Sequence, residues 1–325
     1  MRNTILIDGN NLAMRNWHTN GHMCNDEGVG TGIVYGVYKS LLYSLDILKG
    51  SDCIVAWDKG RDFRQALFRE HLDSFRHLDH LCKRGTMNYT ERMLLGYKGA
   101  RSKIENIDDF YTQQELTKEF LKAIGVIQVE VPGVEADDII YYLSHKIKHL
   151  TTVSSMDTDY LQMVYKNSNV HWITKKMSTP AIFTIDNFSK LYEKLKGFPL
   201  DRKNFLLFKA IVGDKSDNIP GIRGIGEKGL AKAMSQYNYN FKRFLNSDHK
   251  YALKLIEQKD VLSFCLKAIS LKYAYDTELK DLLDNHVNIE KPKKDLTKAY
   301  KMAKKLNLDE FVKDFDKNVS ILSNE

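Results

Sequence analysis

The chain has 325 residues, of which 43% are hydrophobic and 28% charged, with only 5 prolines. This balance is typical of a protein that folds throughout, and it excludes a low-complexity or disordered chain. The net charge of +7 favours polyanionic partners, although many proteins with such a charge never bind nucleic acid.

The cysteines and the apolar runs exclude several other classes of protein. Four cysteines lie far apart without a Cys-x-x-Cys pair, which argues against a disulfide framework or a zinc site: Cys24, Cys53, Cys82 and Cys265. The apolar start of the chain is broken at once by Asp8, too early for a signal peptide. No run of about 18 apolar residues is present, so we expect no membrane span and a location in the cytoplasm, a nucleus or an organelle.

Short apolar runs alternate with segments of helical period, a pattern typical of a parallel sheet flanked by helices. We predict strands over residues 4–7, 53–57, 126–131 and 151–154, with shorter ones near 170–173 and 181–184. Helices are predicted over about 110–124 and from Glu135 onward. Beyond about Ile185 the pattern is nearly all helical. The sequence therefore predicts an α/β fold followed by a helical part.

Acidic residues follow three of these predicted strands. Asp8 follows the first strand and Asp58 the second, while Asp157 and Asp159 follow the strand that ends near Ser155. Because ligands of parallel sheets bind beyond the carboxyl ends of the strands, we expect these side chains to meet there. Two further acidic groups start a helix or share a helical turn: Glu135, Asp137 and Asp138, and Asp214 and Asp217. Carboxylates this close need cations, and all-oxygen ligands favour Mg²⁺ or Mn²⁺ over zinc.

Helix capping is the competing interpretation of these acidic residues. The first turn of a helix favours negative side chains, so Glu135, Asp137 and Asp138 judged singly are more often caps than ligands. Asp157 and Asp159 alone suit a loop and a helix start. Only the joint placement at strand ends favours a metal site, and that placement depends on the predicted sheet.

A glycine-rich segment after Asn218 carries a second signal. Residues 224–226 read as a tight turn between two helices, and the second helix begins next to Lys228 and Lys232. Glycines allow close approach of a phosphate, and the helix start offers free N–H donors. We therefore predict a helix-hairpin-helix that holds one strand of a duplex by its backbone, with Gly221, Gly224 and Gly226 at the contact. An ordinary helix-connecting turn is the alternative.

Six sequence blocks closely resemble the 5′-nuclease, or flap endonuclease, family. This family includes phage 5′-exonucleases and the N-terminal nuclease domain of bacterial DNA polymerase I. The Glu-Ala-Asp-Asp and Gly-Asp-x-Ser-Asp-Asn-Ile-Pro-Gly runs are highly specific. The blocks occur in family order: residues 7–11, 57–60, 97–101, 133–138, 155–162 and 213–221.

The resemblance implies a PIN-like nuclease core and hydrolysis of phosphodiesters with two Mg²⁺ ions, for which Mn²⁺ can substitute. It assigns one ion to Asp8, Asp58, Glu135, Asp137 and Asp138, and the other to Asp157, Asp159, Asp214 and Asp217. It places Lys98 and Arg101 on a gateway helix, in contact with the scissile phosphate. It assigns base stacking to Tyr97 and a nucleic-acid contact to Arg64. K⁺ is a further candidate cation at the hairpin.

The predicted domains are a nuclease core over 1–185, a helical region with the hairpin over 186–275 and a helical tail over 276–325. The core includes an arch or gateway at 62–107. Within it, residues 62–96 are an insertion relative to the family, and their basic content suits either phosphate contact or a solvated face. The tail carries no motif and could pack behind the core or bind a partner.

The function implied by the resemblance is a structure-specific 5′ nuclease, exonuclease or flap endonuclease, in replication or repair. Its expected substrates are DNA with 5′ flaps, nicks or frayed 5′ ends, and RNA–DNA hybrids during primer removal. We expect a monomer in a bacterial or phage-infected cytoplasm. One alternative is a non-catalytic junction-binding protein, which the full set of nine carboxylates opposes. The other is a PIN-type ribonuclease, which the hairpin opposes.

Overall fold

A computed structural model describes residues 2–83, 85–102, 104–173 and 180–323. Positions 84 and 103 of the predicted gateway lie outside the described residues. Spatial contacts group the chain into two compact units. The first comprises Met1–Gly60, Lys103–Thr184 and Leu279–Glu325, and the second comprises Arg61–Ser102 and Ile185–Glu278. The domain boundaries at 185 and 275 stay a prediction.

The described ranges are rich in helix. In chain order the helices are α1 (Gly9–Asn20), α2 (Gly32–Ile47), α3 (Asp62–Glu70), α4 (Tyr89–Leu95), α5 (Ile107–Ala123), α6 (Ala136–Lys146), α7 (Phe188–Lys196), α8 (Phe205–Val212), α9 (Glu227–Ser235), α10 (Phe241–Leu245), α11 (Lys250–Glu257), α12 (Lys259–Ile269), α13 (Leu271–Ala274), α14 (Lys280–His286), α15 (Leu296–Lys305), α16 (Asp309–Lys313) and α17 (Phe315–Ser323). None of those in the described ranges has the length and apolar character needed to cross a membrane.

The first unit is built on one sheet. Its strands are β1 (Asn3–Asp8), β2 (Asp52–Trp57), β3 (Ile127–Glu130), β4 (Leu150–Ser155), β5 (Ser168–Trp172) and β6 (Ala181–Phe183). Their spatial order is β3-β2-β1-β4-β5-β6, with β6 antiparallel to β5 and the other pairs parallel. The direction of winding changes between β1 and β4, which makes this the position where such sheets bind ligands. The predicted α/β fold is confirmed.

Helices cover the two faces of this sheet, as the nearly continuous apolar strands require. Ile5 and Ile7 of β1 belong to the core cluster beneath α2 and α5. Leu6 is also fully buried, and successive strand residues point to opposite faces. The opposite face packs against α6, which contacts β1, β2 and β3.

The tail packs behind the core of the first unit, one of the two possibilities that the sequence leaves open. Phe311 of α16 is 0% exposed. Its ring lies 5.1 Å from the rings of both Tyr38 and Phe120, measured between centroids. The Asn25 side chain donates a hydrogen bond to the Lys305 carbonyl at 2.8 Å. Residues 296–323 are therefore an integral part of the first unit.

The second unit is helical, and the predicted insertion at 62–96 forms part of its core. Phe68 and Phe75 lie 5.0 and 5.4 Å from the ring of Phe264 on α12, and Phe264 is 1% exposed. The aromatic side of the insertion is thus buried, while arginines such as Arg69 remain on its surface.

Candidate functional site

Three strand ends of the first unit carry carboxylates that influence one another. Asp8 ends β1, and its carboxylate accepts hydrogen bonds from the Asn11 backbone N–H at 2.8 Å and from the Tyr160 hydroxyl at 2.8 Å. Burial, reinforced by the charges of Asp58 and Asp157, raises the pKa of Asp8 to about 7. The ends of β1, β2 and β4 thus bring like charges together at the switch point of the sheet.

This raised pKa predicts how Asp8→Asn changes stability without metal. The folded-state pKa lies above the ordinary 3.8, so ionising Asp8 destabilises the fold increasingly as the pH rises from about 4 to 7. In EDTA at pH 8 the variant should therefore unfold roughly 5 °C above the wild type, because it lacks the buried charge. The difference should shrink as the pH falls towards 4. Thermal unfolding followed by circular dichroism measures this, and a difference independent of pH would contradict it.

The start of α6 holds a compact acidic cluster. Carboxylate oxygens of Glu135, Asp137 and Asp138 all lie within 4.8 Å of one another. Glu135 and Asp138 are only 2% and 3% exposed. In the described structure no capping hydrogen bond comes from the Glu135 side chain, although Glu135 is the N-cap residue. The Ala136 N–H donates instead to Asp58 at 2.7 Å. Three buried or half-buried carboxylates at this spacing fit a hard divalent cation.

Asp157 and Asp159 lie where the sequence places them, just beyond β4. Asp157 caps a short 3₁₀ helix, Thr158–Met163, by accepting the Asp159 backbone N–H at 2.9 Å. The capping interpretation therefore holds for Asp157. It does not exclude a ligand role, since a carboxylate has about four acceptor positions.

Tyr160 is a member of this centre that sequence reasoning missed. It is 1% exposed, and burial together with Asp8, Asp137 and Asp157 raises its pKa well above 10. Tyr160 therefore stays protonated at neutral pH and donates to Asp8. An aromatic residue beside apolar neighbours predicts only a core position, so nothing in the pattern reveals the hydroxyl's partner.

Asp214 belongs to the second unit, where its carboxylate organises a loop. One oxygen accepts the Ser216 N–H at 2.8 Å and the Ser216 hydroxyl at 2.6 Å. The other lies 3.2 Å from the Lys209 ammonium. Burial opposes ionisation, but Lys209 and Ser216 outweigh it, so the pKa of Asp214 is lowered. The grouping of Asp214 and Asp217 with Asp157 and Asp159 stays a prediction.

Asp217 is held by two residues assigned to the gateway. Its carboxylate accepts the Tyr97 hydroxyl at 3.0 Å and the Arg101 guanidinium at 2.7 Å. The expectation that Lys98 and Arg101 lie on a helix is wrong, because α4 ends at Leu95. Gly96, with φ +79°, ends the helix, and Lys98 has a positive φ of 57°. Both basic side chains therefore extend from a turn.

Tyr97 and Arg64 are both buried in the second unit, at 5% and 3% exposed. Arg64 donates to the Ala268 carbonyl at 3.2 Å, and its guanidinium lies 5.8 Å from the centre of the Tyr97 ring. Their contacts with nucleic acid stay predictions, and stacking on a base would require the Tyr97 ring to be uncovered.

The hairpin segment joins α8 to α9 through residues 213–226, a longer connection than the predicted tight turn. Pro220 and positive φ angles at Gly221 (63°) and Gly224 (78°) keep it from being helical. Gly226 is the N-cap of α9, and in the described structure no heavy atom beyond its two chain neighbours lies within 4 Å of the position that a Cβ there would take. Lys228 and Lys232 are exposed on α9. A phosphate could approach this backbone closely.

Fold and site together define an α/β protein of the PIN-like type with an acidic centre at its switch point. A family model described as 5′-3′ exonuclease, N-terminal resolvase-like domain, matches residues 3–74 and 78–193. The chain belongs to this 5′-3′ exonuclease family.

Individual relatives agree with this assignment. The chain is 28% identical to the DNA polymerase I of Bacillus subtilis over 259 residues, covering 78% of this chain but only 26% of that protein. It is 24% identical to the 5′-3′ exonuclease of Aquifex aeolicus over 321 residues, covering 98% and 96%. A solved structure of the bacteriophage T5 flap endonuclease with DNA and metal ions shares the fold, with a TM-score of 0.56, 19% identity and coverage of 98% and 100%.

Proposed function

We propose that the chain is a divalent-metal-dependent 5′ nuclease that cuts DNA at 5′ flaps, nicks or frayed 5′ ends. The observation that carries this proposal is the cluster of Glu135, Asp137 and Asp138 at the start of α6, in a sheet whose neighbouring strand ends supply Asp8 and Asp58. Membership of the 5′-3′ exonuclease family supports the reaction class. The DNA and metal ions bound by the phage T5 flap endonuclease support the substrate and the cofactor.

The residues have separate tasks in this proposal. Asp8, Asp58, Glu135, Asp137 and Asp138 would hold one Mg²⁺, and Asp157 and Asp159 would belong to the second. A bound Mg²⁺ would supply charge stabilisation and a water of lowered pKa. Tyr160 would keep Asp8 oriented through its hydroxyl. Lys98 and Arg101 would bind the scissile phosphate and offset its developing charge.

Cleavage of 5′-labelled flap and nicked duplexes, with and without Mg²⁺ or Mn²⁺, tests the proposal. We expect short 5′ products only when a divalent cation is present. Binding of both substrates without cleavage would favour the junction-binding alternative, and cleavage of single-stranded RNA alone would favour the ribonuclease. The same assay with RNA–DNA hybrids, and with and without K⁺, tests the predicted hybrid substrate and the predicted K⁺ at the hairpin. The cytoplasmic location stays a prediction.

Lys228→Ala should weaken duplex binding and flatten its salt dependence. Lys228 is exposed in the first turn of α9, next to the approachable Gly226 backbone. Losing one phosphate contact should reduce the slope of log K against log salt by about 0.9. Fluorescence anisotropy in EDTA at several salt concentrations measures this slope. Lys190→Ala, an exposed lysine on α7, is the control, and equal slopes for the two variants would remove Lys228 from the interface.

A further inference from the structure

Asn218 connects two segments of the second unit through its side chain. It is 0% exposed, and its backbone has a positive φ of 62°. Its amide nitrogen donates to the carbonyls of Arg92 at 2.9 Å and Gly96 at 2.8 Å. Its amide oxygen accepts from the Arg92 guanidinium at 3.1 Å. One buried side chain thus bonds two carbonyls where α4 ends, adding to the backbone N–H groups of Gly96 and Gly99 that these carbonyls also accept.

Backbone and side-chain hydrogen bonds continue this connection beyond the helix. The Lys98 backbone N–H donates to the Asp217 carbonyl at 3.0 Å. The Arg101 Nε donates to the Ser216 carbonyl at 3.1 Å. The turn that carries Lys98 and Arg101 is therefore bound directly to the loop that carries Asp217. The Asn218 side chain binds the chain at the point where α4 ends and this turn begins.

We propose that Asn218 is a positioning residue for phosphodiester cleavage. It holds the turn of Lys98 and Arg101 at a fixed distance from the 214–217 loop, and it acts without touching DNA because it is fully buried. This inference rests on the proposed nuclease function. It assigns to the Asn of the Gly-Asp-x-Ser-Asp-Asn run a task separate from metal binding.

The chemistry of the position selects asparagine. The left-handed backbone conformation is tolerated best by glycine, asparagine and aspartate. Two carbonyl acceptors and one guanidinium donor require a side chain with two N–H donors and one acceptor, which an amide provides. Aspartate has the same size but would place oxygens against the carbonyls of Arg92 and Gly96. Glycine retains the backbone conformation but makes none of the three bonds.

The test compares Asn218→Gly and Asn218→Asp with the wild type. Asn238→Gly is the matched control, since Asn238 also has a positive φ, of 51°, but is exposed in a turn of the same unit. Single-turnover cleavage of a 5′-flap in Mg²⁺ gives the rate of the bound complex, and anisotropy in EDTA gives the dissociation constant. Both Asn218 variants should cleave roughly 10- to 100-fold more slowly, the loss expected for groups misplaced by about 1 Å. The dissociation constant should change no more than about threefold, because the hairpin lysines are intact and the groups misplaced are those at the scissile phosphate alone.

A coupling experiment separates positioning from general stability. In a chain that already carries Lys98→Ala and Arg101→Ala, adding Asn218→Gly should slow cleavage little further, because the positioned groups are gone. A full multiplicative loss would overturn the proposal, as would wild-type rates in either folded Asn218 variant. Circular dichroism at the assay temperature reports folding, and if both variants are unfolded, Asn218 serves folding alone and the proposal fails. If the wild-type chain binds flap DNA but does not cleave it, the result would instead contradict the proposed nuclease function.

Discussion

Asp137→Asn should slow Mg²⁺-dependent flap cleavage by about a thousandfold, equivalent to roughly 4 kcal/mol of activation free energy. Asp137 belongs to the cluster whose oxygens lie within 4.8 Å of one another, and it is the member with partial solvent access. Replacing a carboxylate by an amide removes one negative charge and weakens a hard-cation site while changing shape little. Duplex binding in EDTA should be retained, because the hairpin lies in the other unit.

Asp108→Asn provides a matched control for this experiment. Asp108 occupies the same position in the first turn of α5 that Asp137 occupies in α6, and it is exposed. If helix capping were the main task of Asp137, both substitutions would have small and similar effects. Manganese binding, followed by electron paramagnetic resonance, gives a second measurement. Cleavage of Asp137→Asn at the rate of Asp108→Asn would remove the α6 cluster from the metal site.

Phe311→Ala should destabilise the first unit by about 3–5 kcal/mol. Phe311 is fully buried and contacts the rings of Tyr38 and Phe120 edge-on. Truncation therefore removes both the buried surface and the aromatic contacts, and it leaves a cavity between α2, α5 and α16. The midpoint of urea unfolding, followed by circular dichroism, should fall accordingly.

Leu296→Ala is the control for the tail, because Leu296 is 42% exposed at the start of α15. It should change the stability by no more than about 0.5 kcal/mol. Similar small shifts for both variants would mean that the tail is a loosely attached arm. A large shift for Phe311→Ala alone would show that the stability of the first unit depends on residues with no family motif.

The first four strands could be predicted because they are short and rich in apolar or β-branched residues, and helical periods separate them. Predicted and observed strands agree within about two residues, as expected for such patterns. The acidic residues at the ends of β1, β2 and β4 could be found for the same reason, since parallel strands fix which ends meet. Their roles as ligands are implied by the family resemblance and stay a proposal.

Other features depend on contacts between segments distant in sequence, which a single pattern does not reveal. The predicted helix at Lys98 ignores the glycines at 96 and 99, which disfavour a helix there. The partners of Tyr160 and Asn218 lie more than 100 residues away, at Asp8 and at Arg92. The sequence leaves the position of the tail open because α15 to α17 read as ordinary amphipathic helices, which can pack on any apolar face.

The docking of residues 296–323 onto α2 and α5 has a consequence for biosynthesis. The strands that carry Asp8, Asp58 and Asp157 leave the ribosome long before Phe311, which fills the space behind them. At about 5–20 residues per second, the apolar backs of α2 and α5 stay uncovered for many seconds of translation. The acidic centre therefore gains its complete support only after residues 296–323 have emerged, and a nascent chain stalled before residue 296 should be a client for chaperones.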